Sequence, residues 1–508
     1  MSTTSIAERI EETSQLSHPS PWSPSLWNAI ADLAVFSMWV LVSTFTLLHH
    51  EKWADEAQSW LLARDLDLHT LWFKELRYEG SPGLWHTMLW VAQHWFHAPY
   101  AAIGPIGLLC ATAGVALMLW HAPFPRPLRY LLAFSYFIIY QYAVIARPYV
   151  VFPLLAFAAA ILFKDYKHPE RMTIVLALLA NLSVHGALIA ACIGLAYLWQ
   201  GVRNKNILGD RVRGRYVLSA VAMLLVFLFL FAILNPPANV EALQSVQQRT
   251  LSTVGFAICE GINGAFFDFT PLTLAWLTLG GVWCFLRKGE KALLPPTLIL
   301  TLGMFYGFYG LPHHQGTILI AAITGLWIAW PTTEEKNTLS PHARWVHQAL
   351  VIGMACLLGY QVWNASVVIR NDYRYPYSGA EDAAKYLKSV GADQRPIMGL
   401  SYGMVAVEAY FDHNIQDNRP TSYFHHGKPY AGLSIDQTYL QMNAPDYVVL
   451  SCWSDCDALF QDEYDPYMRS NGYALAHFSD GHLFSKRDWF IRQAYFIYHR
   501  SQGTAFHY

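Results

Sequence analysis

Two adjacent acids, Asp55 and Glu56, open a densely charged segment directly after the first long apolar run of the chain. Residues 53–86 read WADEAQSWLLARDLDLHTLWFKELRYEGSPGLWH. A carboxylate at a membrane boundary is partly desolvated, which makes it a better general base toward a hydroxyl group. We expect Asp55 to be this base, with Glu56 or Glu79 assisting it or positioning the acceptor. Acids also favour the first turn of a helix, so a structural role is the alternative.

Cationic and histidine side chains could hold a phosphate where negative charge develops in a reaction. Arg147 is the main candidate because it ends the third apolar run, next to loops that otherwise contain almost no Lys or Arg. A snorkelling interfacial arginine is the alternative. Arg64 and Arg77 are further candidates, although each could pair with a neighbouring acid instead. His185, in SVHGAL, could bind a phosphate with a charge that depends on pH near neutrality.

The segment GLPHHQG contains His313 and His314 and predicts a second turn on the same side. We expect these histidines, together with Tyr78, to contact the substrate, while a purely structural turn is the alternative for the histidine pair. Adjacent histidines point in different directions on a helix, and no third ligand has a fixed spacing from them. The sequence therefore predicts neither a metal nor another cofactor.

The composition places these residues in a membrane protein. Of the 508 residues, 54% are hydrophobic and only 14% are charged, which is far less charge than a soluble domain contains. The net charge of −2 leaves no basic surface for a nucleic-acid partner. Cys452 and Cys456 could form a disulfide, but a free pair is an equal alternative.

The order of apolar runs and basic loops predicts about eleven transmembrane helices, with a cytoplasmic N-terminus. Residues 172–200 have basic loops on both sides, so we divide this run into two short crossings that turn at His185 and Gly186. A single long, tilted crossing is the alternative and would invert the topology that follows. Residues 82–96 are rich in Trp and His and predict an interfacial helix.

Three regions follow from this pattern. Residues 1–30 form a cytoplasmic segment without a recognisable cleavable signal. Residues 31–369 form the transmembrane catalytic region, whose first outer loop spans 49–100. Residues 370–508 predict a small extracytoplasmic α/β domain, because short apolar strands alternate there with amphipathic helices.

The first 200 residues resemble the GT-C membrane glycosyltransferases, in particular bacterial aminoarabinose transferases and protein O-mannosyltransferases. The matching features are the pair Asp55-Glu56 after the first span, Arg64 in the helix that follows, and RYEGSP, residues 77–82, ahead of another helix. The resemblance is looser in ARPYVVFPLLAF and SVHGA. It implies transfer of a sugar from a polyprenyl-phosphate donor to a lipid, glycan or protein acceptor, with inversion, at the outer face of an inner membrane.

The sequence departs from this family at two positions. Phe152 and Pro153 stand where many relatives have a second acid, which argues against a metal held by two carboxylates. His185-Gly186 stands where aminoarabinose transferases tend to have Lys-Gly. A polymerase or ligase of polyprenyl-linked oligosaccharides, a transporter or flippase, and a non-enzymatic assembly protein are the alternative functions.

Overall fold

The computed structural model describes residues 24–203, 209–235, 250–287, 289–426, 437–453, 455–486 and 489–501. Among these residues, six helices are long and apolar enough to cross a membrane. A seventh crossing results if Leu251–Ala265 and Thr270–Arg287, which are bent by 81° at their junction, form one broken span. The chain is therefore an α-helical polytopic membrane protein.

We number the main helices in chain order. They are α1 Pro24–His49, α2 Ala54–Asp65, α3 Leu84–Phe96, α4 Ile103–His121, α5 Arg126–Ala133, α6 Phe152–Leu162, α7 Pro169–Ala180, α8 Val184–Arg203, α9 Asp210–Leu234, α10 Leu251–Ala265, α11 Thr270–Arg287, α12 Leu294–Phe308, α13 Gln315–Ala329, α14 Pro341–Arg374 and α15 Ala380–Ser389. Short helical turns Leu68–Thr70, Leu71–Glu75 and Leu76–Glu79 connect α2 to α3.

Each apolar run of the sequence coincides with helical structure, but several of these helices are short. Helices α6, α7 and α13 have 11, 12 and 15 residues, below the ~20 residues that usually cross a bilayer. The run 130–146 is broken into the end of α5 and the π-helical turn Phe137–Gln141. The total of eleven crossings therefore remains a prediction.

The run 172–200 is divided, as the basic loops on its two sides require. Helix α7 ends at Ala180, and α8 begins at Val184 and packs against α7. A Cβ atom on Gly186 would lie 2.2 Å from the carbonyl oxygen of Leu179, so only glycine permits this close return. One continuous helix is excluded, because the chain turns at residues 181–183. The predicted position of the turn, at His185 and Gly186, is wrong, since both residues lie inside α8.

Residues beyond α14 form a five-stranded sheet with short helices. The strands are β1 Ile397–Leu400, β2 Tyr447–Trp453, β3 Tyr473–Ser479, β4 His482–Ser485 and β5 Trp489–Arg500. Their order is β1-β2-β5-β3, and β4 also pairs with β5. Strands β1 and β2 are parallel, whereas β5 is antiparallel to each of its partners.

The two faces of this sheet bury different sets of residues. On β2, Val449 belongs to the core that continues into the helical bundle. Its neighbours Val448 and Leu450 belong to a second core, which packs under the short helices Cys456–Leu459 and Asp465–Ser470. Cys452 and Cys456 form a disulfide that fastens the end of β2 to the first of these helices. One sheet thus connects the membrane part to an outer layer.

Candidate active site

Asp55 and Arg147 form an ion pair at one end of the helical bundle. The Nη1 of Arg147 lies 2.9 Å from Oδ2 of Asp55, and both side chains are mostly buried, with 15% and 20% of their surface exposed. The hydroxyl of Tyr402 donates a hydrogen bond of 2.9 Å to Oδ1 of Asp55. The expected base and the main expected phosphate ligand are therefore in direct contact, although 92 positions separate them in the chain.

Aromatic rings enclose the Arg147 guanidinium. Its central carbon lies 5.8 Å from the ring centre of Trp53 and 5.6 Å from that of Tyr149. A cation over an aromatic face is stabilised without its N–H donors being used. The guanidinium is thus held in place while donors remain for an anionic ligand.

Glu56 has a structural task that the sequence does not reveal. Its side chain is 1% exposed, and its Oε1 accepts a hydrogen bond of 2.8 Å from the backbone N–H of Ala146. Its Oε2 accepts from the backbone N–H of Trp53 and lies 3.3 Å from Nε2 of His50. Because Glu56 follows Asp55 and Ala146 precedes Arg147, this carboxylate fixes the backbones of the ion pair. The contacts favour positioning over the expected direct assistance to catalysis.

His50 connects Glu56 to the end of α14. Its Nδ1 lies 3.0 Å from Oδ2 of Asp372, which also accepts a hydrogen bond of 3.0 Å from the hydroxyl of Tyr140. Burial alone would lower the pKa of His50, but the carboxylates of Asp372 and Glu56 outweigh it and raise the pKa to about 10. At neutral pH His50 is therefore a buried cation between two acids.

Glu79 lies close enough to Asp55 for the charges of the two carboxyl groups to interact. Its Oε1 accepts a hydrogen bond of 2.8 Å from the amide of Gln58. Burial is the main cause that raises the pKa of Glu79, and the neighbouring charge of Asp55 raises it further, while His426 opposes the shift. The site thus has two carboxyl groups in different environments, one paired with an arginine and one partly desolvated.

The three expected histidines form a cluster beside Tyr149. The ring centres of His185 and His314 are 4.3 Å apart, and those of His313 and His314 are 4.2 Å apart. The ring of Tyr149 lies 5.7 Å from His313, which joins the cluster to Arg147. The expectation that both histidine turns and Arg147 share one end of the bundle therefore agrees with the geometry.

Burial keeps His313 and His314 uncharged. It lowers the pKa of His313 and of His314 well below the usual value, and the nearby Arg147 adds to the shift. Nδ1 of His314 accepts a hydrogen bond of 3.1 Å from the backbone N–H of Leu311, so its Nε2 holds the proton. These rings offer neutral N–H donors, whose state does not change near neutral pH.

Three expected site residues have no described contact with Asp55 or Arg147. Arg64 pairs with Asp65 at 2.5 Å and donates to the carbonyl of Phe411 and to the hydroxyl of Ser422, so its contacts favour docking of the C-terminal segment over the expected phosphate. The ring of Tyr78 lies 4.3 Å from that of His425, which also belongs to the C-terminal segment. Nε of Arg77 is buried without a hydrogen-bond partner among the described residues, and no described contact joins it to Arg147.

Several residues of the site were not predicted from the sequence, because none lies in a recognisable motif. Tyr402 contacts Asp55, and Tyr309 lies near the ion pair. His50 and Asp372 support the pair from behind Glu56. An acid at the end of an apolar run, as in IRNDYR, was the available signal for Asp372. Tyr402 reaches the site by tertiary packing alone. For the long segment 236–268 the sequence leaves open a substrate-covering loop or a packed connector. It lies outside the described residues as far as residue 249, and Leu251–Ala265 is helical.

Basic side chains gather at the opposite end of the helices. Helix α8 begins beside the histidine cluster and ends at Arg203, which pairs with Glu290. Arg287, at the end of α11, pairs with Glu335.

Among the described residues, no group of three or more His, Cys, Asp or Glu side chains has an arrangement suited to a metal ion.

Known proteins add no further assignment. The chain matches no protein-family model, and no curated protein matches it either.

Proposed function

We propose that this protein is a membrane glycosyltransferase that moves a sugar from a polyprenyl-phosphate carrier to an acceptor hydroxyl on the extracytoplasmic face. The observation that supports this most is the contact of Asp55 with Arg147 at the membrane boundary. One site then contains a base for the acceptor and a cation for the leaving phosphate. The basic loops at the other end of the helices, which include Arg203 and Arg287, favour the extracytoplasmic orientation of the site.

The phosphate of the donor would bind between Arg147 and the histidine cluster. The N–H groups of Arg147 and the neutral imidazoles are suitable donors for oxygens on which negative charge accumulates. When the phosphate takes hydrogen bonds from Arg147, the Oδ2 of Asp55 loses part of its ion pair and becomes available as a proton acceptor. Donor binding thereby prepares the base.

In the transfer step, the acceptor hydroxyl attacks the anomeric carbon of the sugar, and its proton passes to Asp55. The bond between this carbon and the phosphate oxygen breaks, and the electron pair leaves with polyprenyl phosphate. Attack opposite the leaving group inverts the anomeric configuration. No redox change or further reactant is needed.

Tyr402 and Glu79 would orient the reacting groups. The Tyr402 hydroxyl holds Oδ1 of Asp55 and leaves Oδ2 facing Arg147. Glu79 is held by Gln58 and lies near Asp55, so it would accept a hydrogen bond from a second hydroxyl of the acceptor. Positioning of this kind converts an encounter of three groups into one ordered reaction.

The experiment is a reconstituted transfer reaction. The purified protein in lipid nanodiscs is mixed with a panel of polyprenyl-phosphate sugars and a membrane extract as acceptor, and released polyprenyl phosphate is quantified by mass spectrometry. We expect release with at least one donor and a matching sugar on the acceptor. Absence of transfer from every donor, by protein shown to be folded, would overturn the proposal.

A further inference from the structure

A cavity lies between the first outer loop and the C-terminal segment. It is a groove of about 640 Å³, within the range of about 300–1,000 Å³ that is usual for small-molecule sites. Its walls come from Lys52, the second half of α2, the end of α3, the residues just before α4 and the C-terminal segment. The residues used below are Lys52, Trp60, Arg64, Gln93, Tyr100, Glu381, Tyr410 and Asp412.

Two tyrosine hydroxyls in this groove lack hydrogen bonds. The hydroxyls of Tyr100 and Tyr410 are buried and have no partner among the described residues, and Tyr100 as a whole is 9% exposed. The two rings are in edge-to-face contact at 5.2 Å, and Tyr100 also packs against Trp60. A buried hydroxyl without a partner costs about 1–3 kcal/mol, so a ligand that supplies partners is favoured here.

The charges around the groove compensate one another. Arg64 pairs with Asp65, and Glu381 pairs with Lys385 at 2.7 Å. Asp412 pairs with His413, also at 2.7 Å. Lys52 lies 5.5 Å above the ring of Tyr100. Without an excess of positive charge the groove is poorly suited to a phosphate, whereas aromatic walls with hydroxyl, amide and carboxylate groups suit a polyhydroxylated ligand.

The groove opens at the surface of the membrane. Tyr100 is the first residue of the membrane-spanning segment Tyr100–His121. Trp95 and Phe96, at the end of α3, are 68% and 74% exposed, as is typical of aromatic side chains at a bilayer interface. A ligand in the groove is therefore at the level of lipid headgroups.

We propose that this groove binds a saccharide, and that it is the distal acceptor site of the enzyme. Its use as an acceptor site rests on the proposed function; the binding of a saccharide does not. Asp55 and Trp60 are five residues apart on α2, which turns them by about 140°. Asp55 and the groove therefore lie on different faces of α2, and Lys52, three residues before Asp55, also lines the groove. An acceptor that reaches both sites must contain more than one sugar residue.

The test measures binding separately from transfer. The protein in detergent is applied to an array of neutral and acidic oligosaccharides, and in a second arm to phosphatidylcholine vesicles with or without a monoglycosyl diacylglycerol. The variants are Asp55→Asn, the double variant Tyr100→Phe/Tyr410→Phe, and Tyr464→Phe as a matched control in the second core. Glu381→Gln is an additional groove variant.

We expect the protein, Asp55→Asn and Tyr464→Phe to bind the same saccharide, and the double variant and Glu381→Gln to raise its Kd at least tenfold. The double variant should keep its unfolding temperature, because it removes only hydroxyls without partners. Binding to the array indicates a free glycan, and binding only to the glycolipid vesicles indicates a lipid-linked one. Absence of binding in both arms, or unchanged binding by the groove variants, would overturn the inference. Saccharide binding without transfer would instead contradict the proposed function alone.

Discussion

At the scale of single residues, the proposed mechanism depends on the sharing of Arg147 between an acid and an incoming phosphate. Asp55 is bound on both oxygens, by Tyr402 on one and by Arg147 on the other. The sequence predicted that the two residues would share one site, because an acid pair after a span and an arginine on the side poor in cations are unusual positions. It could not predict Tyr402, which comes from the C-terminal segment.

Replacement of Arg147 should act mainly on the donor. For Arg147→Lys we expect the apparent KM for the polyprenyl-phosphate sugar to rise about tenfold or more, because lysine keeps the charge but loses the planar set of donors. Arg147→Ala should have a larger effect. Steady-state kinetics at varied donor and at saturating acceptor measure this. An unaltered donor KM in both variants would place the phosphate elsewhere.

Glu79 should determine the acidic limb of the pH–rate profile. Burial raises its pKa, so its carboxylate form is lost at a higher pH than that of an ordinary glutamate. Activity that needs this carboxylate should fall as pH decreases, starting above about pH 4.3, the usual glutamate pKa. In Glu79→Gln the limb should move to lower pH, with a reduced maximal rate. A profile with the same acidic limb would exclude this role.

At the scale of elements, the sequence located the helices well and their mutual contacts poorly. The basic loops predicted the division of residues 172–200, which Gly186 makes possible sterically, although the turn lies at residues 181–183 and not at His185 and Gly186. The joining of α1, α2 and α14 through His50, Glu56 and Asp372 was not predictable. His50 and Asp372 are 322 positions apart, and no local pattern indicates that a histidine will lie between two buried acids.

Removal of His50 should loosen this junction. In His50→Ala the carboxylates of Glu56 and Asp372 would stay buried without their cation, and breaking a buried ion pair costs roughly 3–5 kcal/mol. We expect a lower unfolding temperature in detergent and a lower kcat, because Glu56 holds the backbones next to Asp55 and Arg147. His49→Ala, the exposed neighbour, is the control and should be close to the parent. Equal stability of the two variants would contradict this assignment.

The same junction predicts a pH dependence of stability. The folded-state pKa of His50, about 10, lies above the usual 6.5, so the folded state binds this proton more tightly. The stabilisation is complete below about pH 6.5 and is lost as pH rises through 10. Unfolding temperatures should fall across this window in the parent and less steeply in His50→Gln. Parallel curves would exclude His50 as the titrating group.

At the scale of the whole molecule, the C-terminal segment completes the site of the membrane part. Gln58 on α2 donates to the carbonyl of Phe424 at 2.6 Å and accepts from its N–H at 2.8 Å. The sequence predicted strands and helices in this segment, since alternation and amphipathicity are local. Its docking onto α2 depends on pairs about 366 positions apart, which leave no local signature.

Loss of this docking should be visible in the loop that contains Phe424. In Gln58→Ala the backbone groups of Phe424 lose their partners, which costs roughly 1–3 kcal/mol. We expect faster amide hydrogen exchange at residues 421–426, together with weaker activity, because Tyr402 is displaced with the segment. Gln394→Ala, an exposed glutamine of the same segment, is the control. Exchange that is equally slow in Gln58→Ala would contradict the proposed docking role.

The most direct measurement of the central claim is the single-turnover rate of sugar transfer in Asp55→Asn. The asparagine keeps the shape of the side chain and cannot take the acceptor proton, so the rate should fall about 10²–10⁴-fold in protein that still folds and still binds the donor. Asp393→Asn, a partly buried acid of the C-terminal segment, should transfer at the parental rate. A rate for Asp55→Asn within a few-fold of the parent would contradict the account.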